Sequence, residues 1–154
     1  MALKSVREGT FSNDGVYVEG EVQGVGVHFQ VNTGATRTII AERVFDRIAA
    51  DRRPELSEAE GLTGPGGEQL EVMGEAVLTL KIGAITVEEM IMGADIEEEA
   101  VLGVDVLVEG ACGPVDMLLS RGIIRIRGSE VPCIQVGKEG VRRVVASGDI
   151  AVMC

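Results

Sequence analysis

The chain has 154 residues with 25 Asp or Glu against 14 Lys or Arg, a formal charge of −11 that argues against nucleic acid or an anionic membrane as partner. No apolar run reaches the length of a membrane span, and the charged stretch Met1–Glu8 lacks the apolar region of a signal peptide. Apolar residues make up 45% but aromatics only 3%, with no Trp and 21 Gly, so one domain with a Val, Ile and Leu core built from short strands is expected.

Residues 1–14 show no periodicity and read as an N-terminal arm, closed by the turn signal Asn13-Asp14-Gly15. Val16, Val18 and Val22 alternate with polar residues, which predicts a half-buried strand. Gln23-Gly24 turns the chain into a second strand, 25–31, whose apolar positions are Val25, Val27, Phe29 and Val31. His28, the one histidine, falls on the polar side of that strand and reads as exposed. The second strand delivers Val31-Asn32-Thr33-Gly34-Ala35-Thr36, a polar side chain at a strand end followed by a tight Gly-containing turn. Ile40, Val44, Phe45 and Ile48 suit a short helix that ends before Pro54, and the charged stretch Asp51–Glu60 reads as a surface loop.

Leu62-Thr63-Gly64-Pro65-Gly66-Gly67-Glu68 is the tip of a hairpin. Behind it Leu70, Val72, Ala76, Leu78, Leu80 and Ile82 keep strand alternation, and Gly83-Ala84 turns into Ile85, Val87 and Met90-Ile91-Met92. Glu97-Glu98-Glu99 reads as a solvated loop, Ala100–Gly103 as a buried strand end, and Val104–Glu109 as one or two helical turns. Pro114–Leu118 and Ile123–Arg127 form a last hairpin around Ser120-Arg121-Gly122. The total is seven to nine short strands with one or two short helices, a small all-β barrel. Cys112, Cys133 and Cys154 have no C-x-x-C spacing and suit a reducing, cytoplasmic setting; a single histidine beside them gives no zinc site, and no metal or other cofactor is expected.

Three blocks, in this order and spacing, make the sequence resemble a retropepsin, the aspartic protease of retroviruses and long-terminal-repeat retrotransposons or a domesticated descendant. They are Phe29-Gln30-Val31-Asn32-Thr33-Gly34-Ala35-Thr36; the glycine-rich tip with Val72-Met73-Gly74-Glu75 behind it; and Val101-Leu102-Gly103-Val104-Asp105-Val106-Leu107 followed by Gly122-Ile123-Ile124-Arg125-Ile126. The resemblance covers residues 15–128. It implies a symmetric homodimer, because one motif supplies half of a two-carboxylate site. It also implies that Thr33 locks the paired loops, that Gly34 and Ala35 lie against an extended peptide, and that a flap at Thr63, Gly64, Pro65, Gly66 and Gly67 closes over it. Asp105 is then structural, capping or pairing at the start of the helical turns.

The departure from that family lies at the catalytic position. Two nearby carboxylates share one proton so that one is base and the other acid. Asn32 has nearly the volume of Asp but no proton to exchange near neutral pH, so the chain as written should be inactive. A deliberate Asp-to-Asn replacement fits the intact surroundings of position 32; a natural pseudoprotease that binds peptides is the alternative. Residues 129–154 lie beyond the last block and read either as an interface strand or as a polyprotein junction around Val144-Val145.

Overall fold

The structure, a computed structural model, describes residues 14–63, 69–137, 140–146 and 149–152. Glycine-rich tip residues Gly64, Pro65, Gly66 and Gly67, and Cys154, lie outside them. In chain order the strands are β1 Gly15–Val22, β2 Val25–Val31, β3 Ile39–Ala41, β4 Leu62–Thr63, β5 Gln69–Leu70, β6 Val72–Ile82, β7 Ile85–Ala94, β8 Ala100–Leu102, β9 Asp116–Leu118, β10 Ile123–Ile126, β11 Ser129–Gly137, β12 Gly140–Ala146 and β13 Asp149–Val152. Two one-turn helices, α1 Glu42–Phe45 and α2 Val104–Leu107, complete the described elements with a 3-10 turn at Leu119–Arg121.

Six of these strands close on themselves. The order β1-β2-β8-β3-β7-β6 returns to β1, because Glu21 and Val22 pair with Lys81 and Leu80. The first half of β1 is free of β6 and pairs instead with β11, from Gly15↔Val136 to Val18↔Cys133. One strand therefore serves both the barrel and an outer layer of β11, β12 and β13, with β9 and β10 attached through β11. The barrel interior is lined by the alternating positions read from sequence. Val18, Val22, Val27, Phe29, Leu78, Leu80, Ile82 and Ile91 are all buried there, joined by Ile40, Val44 and Ile48 from the segment around α1. Closure removes the exposed edges that an open sheet of this length would present.

The all-β barrel is as expected, while the strands outnumber the seven to nine read from the sequence. The additions include pieces of two or three residues, such as β3 and β5, too short to carry an alternating pattern, and the strands β11, β12 and β13 of the stretch beyond residue 128. Ile40, read as helical, belongs instead to β3, whose three residues are all buried. The segment read as a C-terminal extension begins inside the sheet: Val131, Cys133 and Ile134 of β11 are buried, and Val131 and Cys133 belong to the main core. His28, expected to be exposed, is half-buried; its side chain is 19% accessible and lies 3.4 Å from Glu99 and 3.5 Å from Glu19. Glu99 of the expected solvated loop is drawn in with it, at 24%.

Candidate active site

The Asn32 loop is placed by an unusual strand exchange. β2 runs parallel to β8 with Val31 opposite Leu102, and the Asn32 N–H continues that ladder by donating to the Leu102 carbonyl at 3.0 Å. β8 is also antiparallel to β3, which leaves the loop. The two strands flanking residues 32–38 are thus both fastened to one three-residue strand of wholly buried side chains, Ala100–Leu102.

Within the loop, Asn32 accepts at Oδ1 from the Gly34 N–H at 2.8 Å, and its carbonyl accepts from the Ala35 N–H at 3.1 Å. A Cβ on Gly34 would lie 3.1 Å from Asn32 Oδ1, tighter than ordinary packing, so glycine there preserves the side-chain position as well as backbone access. Thr33 and Gly34 are exposed, and Asn32 and Ala35 half-buried. The motif therefore presents an outward face on the single chain.

Beneath it is a fully buried hydroxyl. Thr38 has no accessible surface, yet its Oγ1 donates to Asp105 Oδ1 at 2.8 Å and accepts from the Gly103 N–H at 3.0 Å. Asp105 Oδ2 takes the Thr38 backbone N–H at 3.0 Å. Val104 N–H donates to the Ala35 carbonyl at 2.8 Å, a further tie between the loop and the start of α2. Gly103 makes this approach possible: a Cβ there would sit 2.5 Å from the Arg37 carbonyl oxygen and 2.8 Å from that of Ala35. Of the two roles expected for Asp105, pairing is the one observed; α2 has no side-chain N-cap. Its carboxylate is committed to holding the loop.

The strands β4 and β5 pair with Leu62 opposite Leu70 and Thr63 opposite Gln69. The chain continues into β6 across a register shift between Val72 and Gly74. Arg37, which the sequence did not single out, donates from Nη2 to Glu75 Oε2 at 2.7 Å, and its Nε lies 3.6 Å from Asp105 Oδ2. Thr38 also escaped notice, although a polar residue leading into Ile39-Ile40-Ala41 is the signal of a buried, satisfied hydroxyl. Among the described residues no cluster of His, Cys, Asp and Glu is arranged to hold a metal, and no helix is long and apolar enough to cross a membrane. Cys112 and Cys133 are buried and form no disulfide among the described residues. A cleft of about 280 Å³ on the β1–β2 face is lined by Glu19, Gly20, Gly26, Val27, His28 and Glu99 and includes none of the motif residues.

A closed barrel in which one short strand pins both arms of an Asn-Thr-Gly loop, with a Leu-Gly-x-Asp turn clamped underneath, has the frame of a retropepsin-like aspartic protease. More particularly, the chain belongs to the gag-polyprotein putative aspartyl protease family, whose model matches residues 18–109. Among solved structures it is similar to the retroviral protease-like domain of Ddi1 from Leishmania major, at 18% identity and a TM-score of 0.63 over 80% of this chain and 95% of that one. It is also similar to EIAV protease complexed with the inhibitor HBY-793, at 20% identity and a TM-score of 0.53 over 63% of this chain and 88% of the other. No curated protein sequence matches the chain.

Proposed function

We propose that this domain is an aspartic endopeptidase of retropepsin type that processes a polyprotein as a symmetric homodimer, and that Asn32 holds it in an inactive form. The observation that carries the reading is the loop itself. Asn32 Oδ1 sits where a carboxylate oxygen would, accepting the Gly34 N–H at 2.8 Å, while Asp105 and Thr38 brace the backbone from below. Everything needed to position an acid is kept, and only the ionisable group is missing.

Two such loops meeting on a two-fold axis would bring two position-32 side chains together over one water. With aspartates, like charges at that distance cannot both ionise, so the pair holds one proton; one member takes a proton from water and the other gives one to the peptide. With two asparagines neither step is open, since a carboxamide neither accepts nor releases a proton in the working range. The exposed Thr33 and Gly34 fit surfaces awaiting the partner loop and the substrate.

Restoring the acid tests this. Asn32→Asp is expected to cleave members of an extended peptide library at acidic to neutral pH, with a bell-shaped profile and inhibition by a statine-type mimic of the tetrahedral intermediate. The Asn32 protein is expected to be slower by about 10²–10⁴-fold or more, the scale of losing general acid–base catalysis. A folded, dimeric Asn32→Asp protein that cleaves nothing would favour the second reading, a peptide-binding module using the same floor by strand addition.

A further inference from the structure

Where the β4–β5 hairpin joins the barrel, the backbone changes character within three residues. The pairing of β6 with β7 slips between Val72 and Gly74, and Gly74 adopts φ +147° with its Cα hydrogen pressed toward Ser57: a Cβ would meet the Ser57 carbonyl oxygen at 2.5 Å. The next residue, Glu75, is the first fixed point. Its N–H and C=O exchange hydrogen bonds with the C=O and N–H of Ser57, both at 2.8 Å, fastening the outgoing and returning arms at one level. Glu75 is thus the root of the hairpin.

The Glu75 side chain does not point to solvent. It meets Arg37 at 2.7 Å, and that guanidinium also lies against Asp105, whose two oxygens already hold Thr38. All three side chains are partly shielded, with 34%, 23% and 22% of their surfaces accessible for Arg37, Glu75 and Asp105. An exposed ion pair contributes little and would carry no meaning alone. Here a planar, multi-donor cation joins three separate elements: the motif loop, the hairpin root and the start of α2. Without it, Glu75 and Asp105 would share that space as two carboxylates with no cation between them.

We propose that Arg37 is a positioning residue that couples Glu75, at the Ser57–Glu75 bridge, to the Asp105–Thr38 clamp under the Asn32 loop, so that a substrate pressing on the loop is felt at the bridge. The substrate side of this statement rests on the proposed peptidase reading; the mechanical side does not.

Hydrogen exchange on the full Asn32 chain separates the two. Arg37→Gln is expected to speed amide exchange about three- to tenfold in both 57–75 and 33–38, while β10 and β11 keep their rates. Arg37→Lys should recover part of the protection, and the reversed pair Arg37→Glu with Glu75→Arg less of it, because it sets a carboxylate against Asp105. In the Asn32→Asp background, Arg37→Gln is expected to raise KM about three- to tenfold with kcat changed less than about twofold. Unchanged exchange in either segment, or a uniform rise across the whole barrel, overturns the coupling. If exchange responds as stated but Asn32→Asp cleaves no peptide, the coupling stands and the peptidase reading falls.

Discussion

At the scale of single residues, the site is held by polar groups buried among apolar ones, and such groups are costly to leave unpaired. Thr38→Val keeps the shape of the side chain but removes both the donor to Asp105 and the acceptor for the Gly103 N–H. The expected loss is about 2 kcal/mol, the cost of stranding a partly buried carboxylate oxygen and a buried amide, read as a lower denaturant midpoint. Serine at position 38 should recover most of it, which separates the hydroxyl from the methyl.

His28 and Glu99 give a second residue-scale expectation. The Glu99 carboxylate beside it, more than that of Glu19, raises the His28 pKa above its ordinary 6.5 despite the opposing effect of burial. The His28 imidazole in turn lowers Glu99 below its ordinary 4.5, with a smaller contribution from Arg47. A raised histidine stabilises the fold fully below 6.5 and loses that contribution as pH climbs through its folded value; a lowered glutamate contributes above 4.5 and fails as pH falls through its own. The pair is therefore most effective between 4.5 and 6.5. The stability difference between the native protein and His28→Gln is expected to peak in that window at about 1 kcal/mol and to shrink by pH 9, measured by urea unfolding across pH. A difference that grows steadily with pH would contradict it.

At the scale of elements, β11 matters most. It pairs with β1 and β10 and sends Val131, Cys133 and Ile134 into the interior. Ending the chain at Gly128 removes those side chains and leaves the first half of β1 without its neighbour. Ending it at Gly137 keeps both. The shorter form is expected to lose cooperative unfolding, since three buried side chains of this kind are together worth about 4–8 kcal/mol. The longer form is expected to retain a single sharp transition by calorimetry. If the domain serves as a polyprotein protease, a cut that releases an intact enzyme then falls beyond Gly137. Val144-Val145 lies in that stretch but within β12, which would have to leave β11 and β13 to enter a cleft.

At the scale of the whole molecule, one motif loop with an exposed Thr33 and Gly34 would supply half of the proposed site. Sedimentation is expected to show a dimer at micromolar concentration, and Thr33→Arg, which sets a bulky charge on the proposed two-fold axis, is expected to shift the protein to monomer while the barrel stays folded by circular dichroism. A native chain that sediments as a monomer at high micromolar concentration would remove the basis of the proposed mechanism.

What the sequence determined by itself was whatever repeats or is chemically singular. The alternation of Val16, Val18, Val22, Val27 and Phe29, and of Ala76 to Ile82, marks strands because period two puts one face in the core. The Asn-Thr-Gly-Ala and Leu-Gly-x-Asp blocks marked the loop and its support through their order and spacing with the glycine-rich tip, since Asn-Thr-Gly-Ala alone recurs in many turns. Only the tertiary structure decided how distant groups meet. Closure of β1 on β6 depends on a pairing of Glu21 with Lys81 that nothing local announces. The three-residue β3 has no period to read, and the apolar run read as a strand end at Ala100–Gly103 does not announce its partners, although together they pin the Asn32 loop. Likewise His28, Arg37, Thr38 and Glu99 look like ordinary polar residues until partners 38 to 71 positions away are folded against them. Their burial and charge are properties of those encounters, which hydrophobic patterning within a segment does not encode.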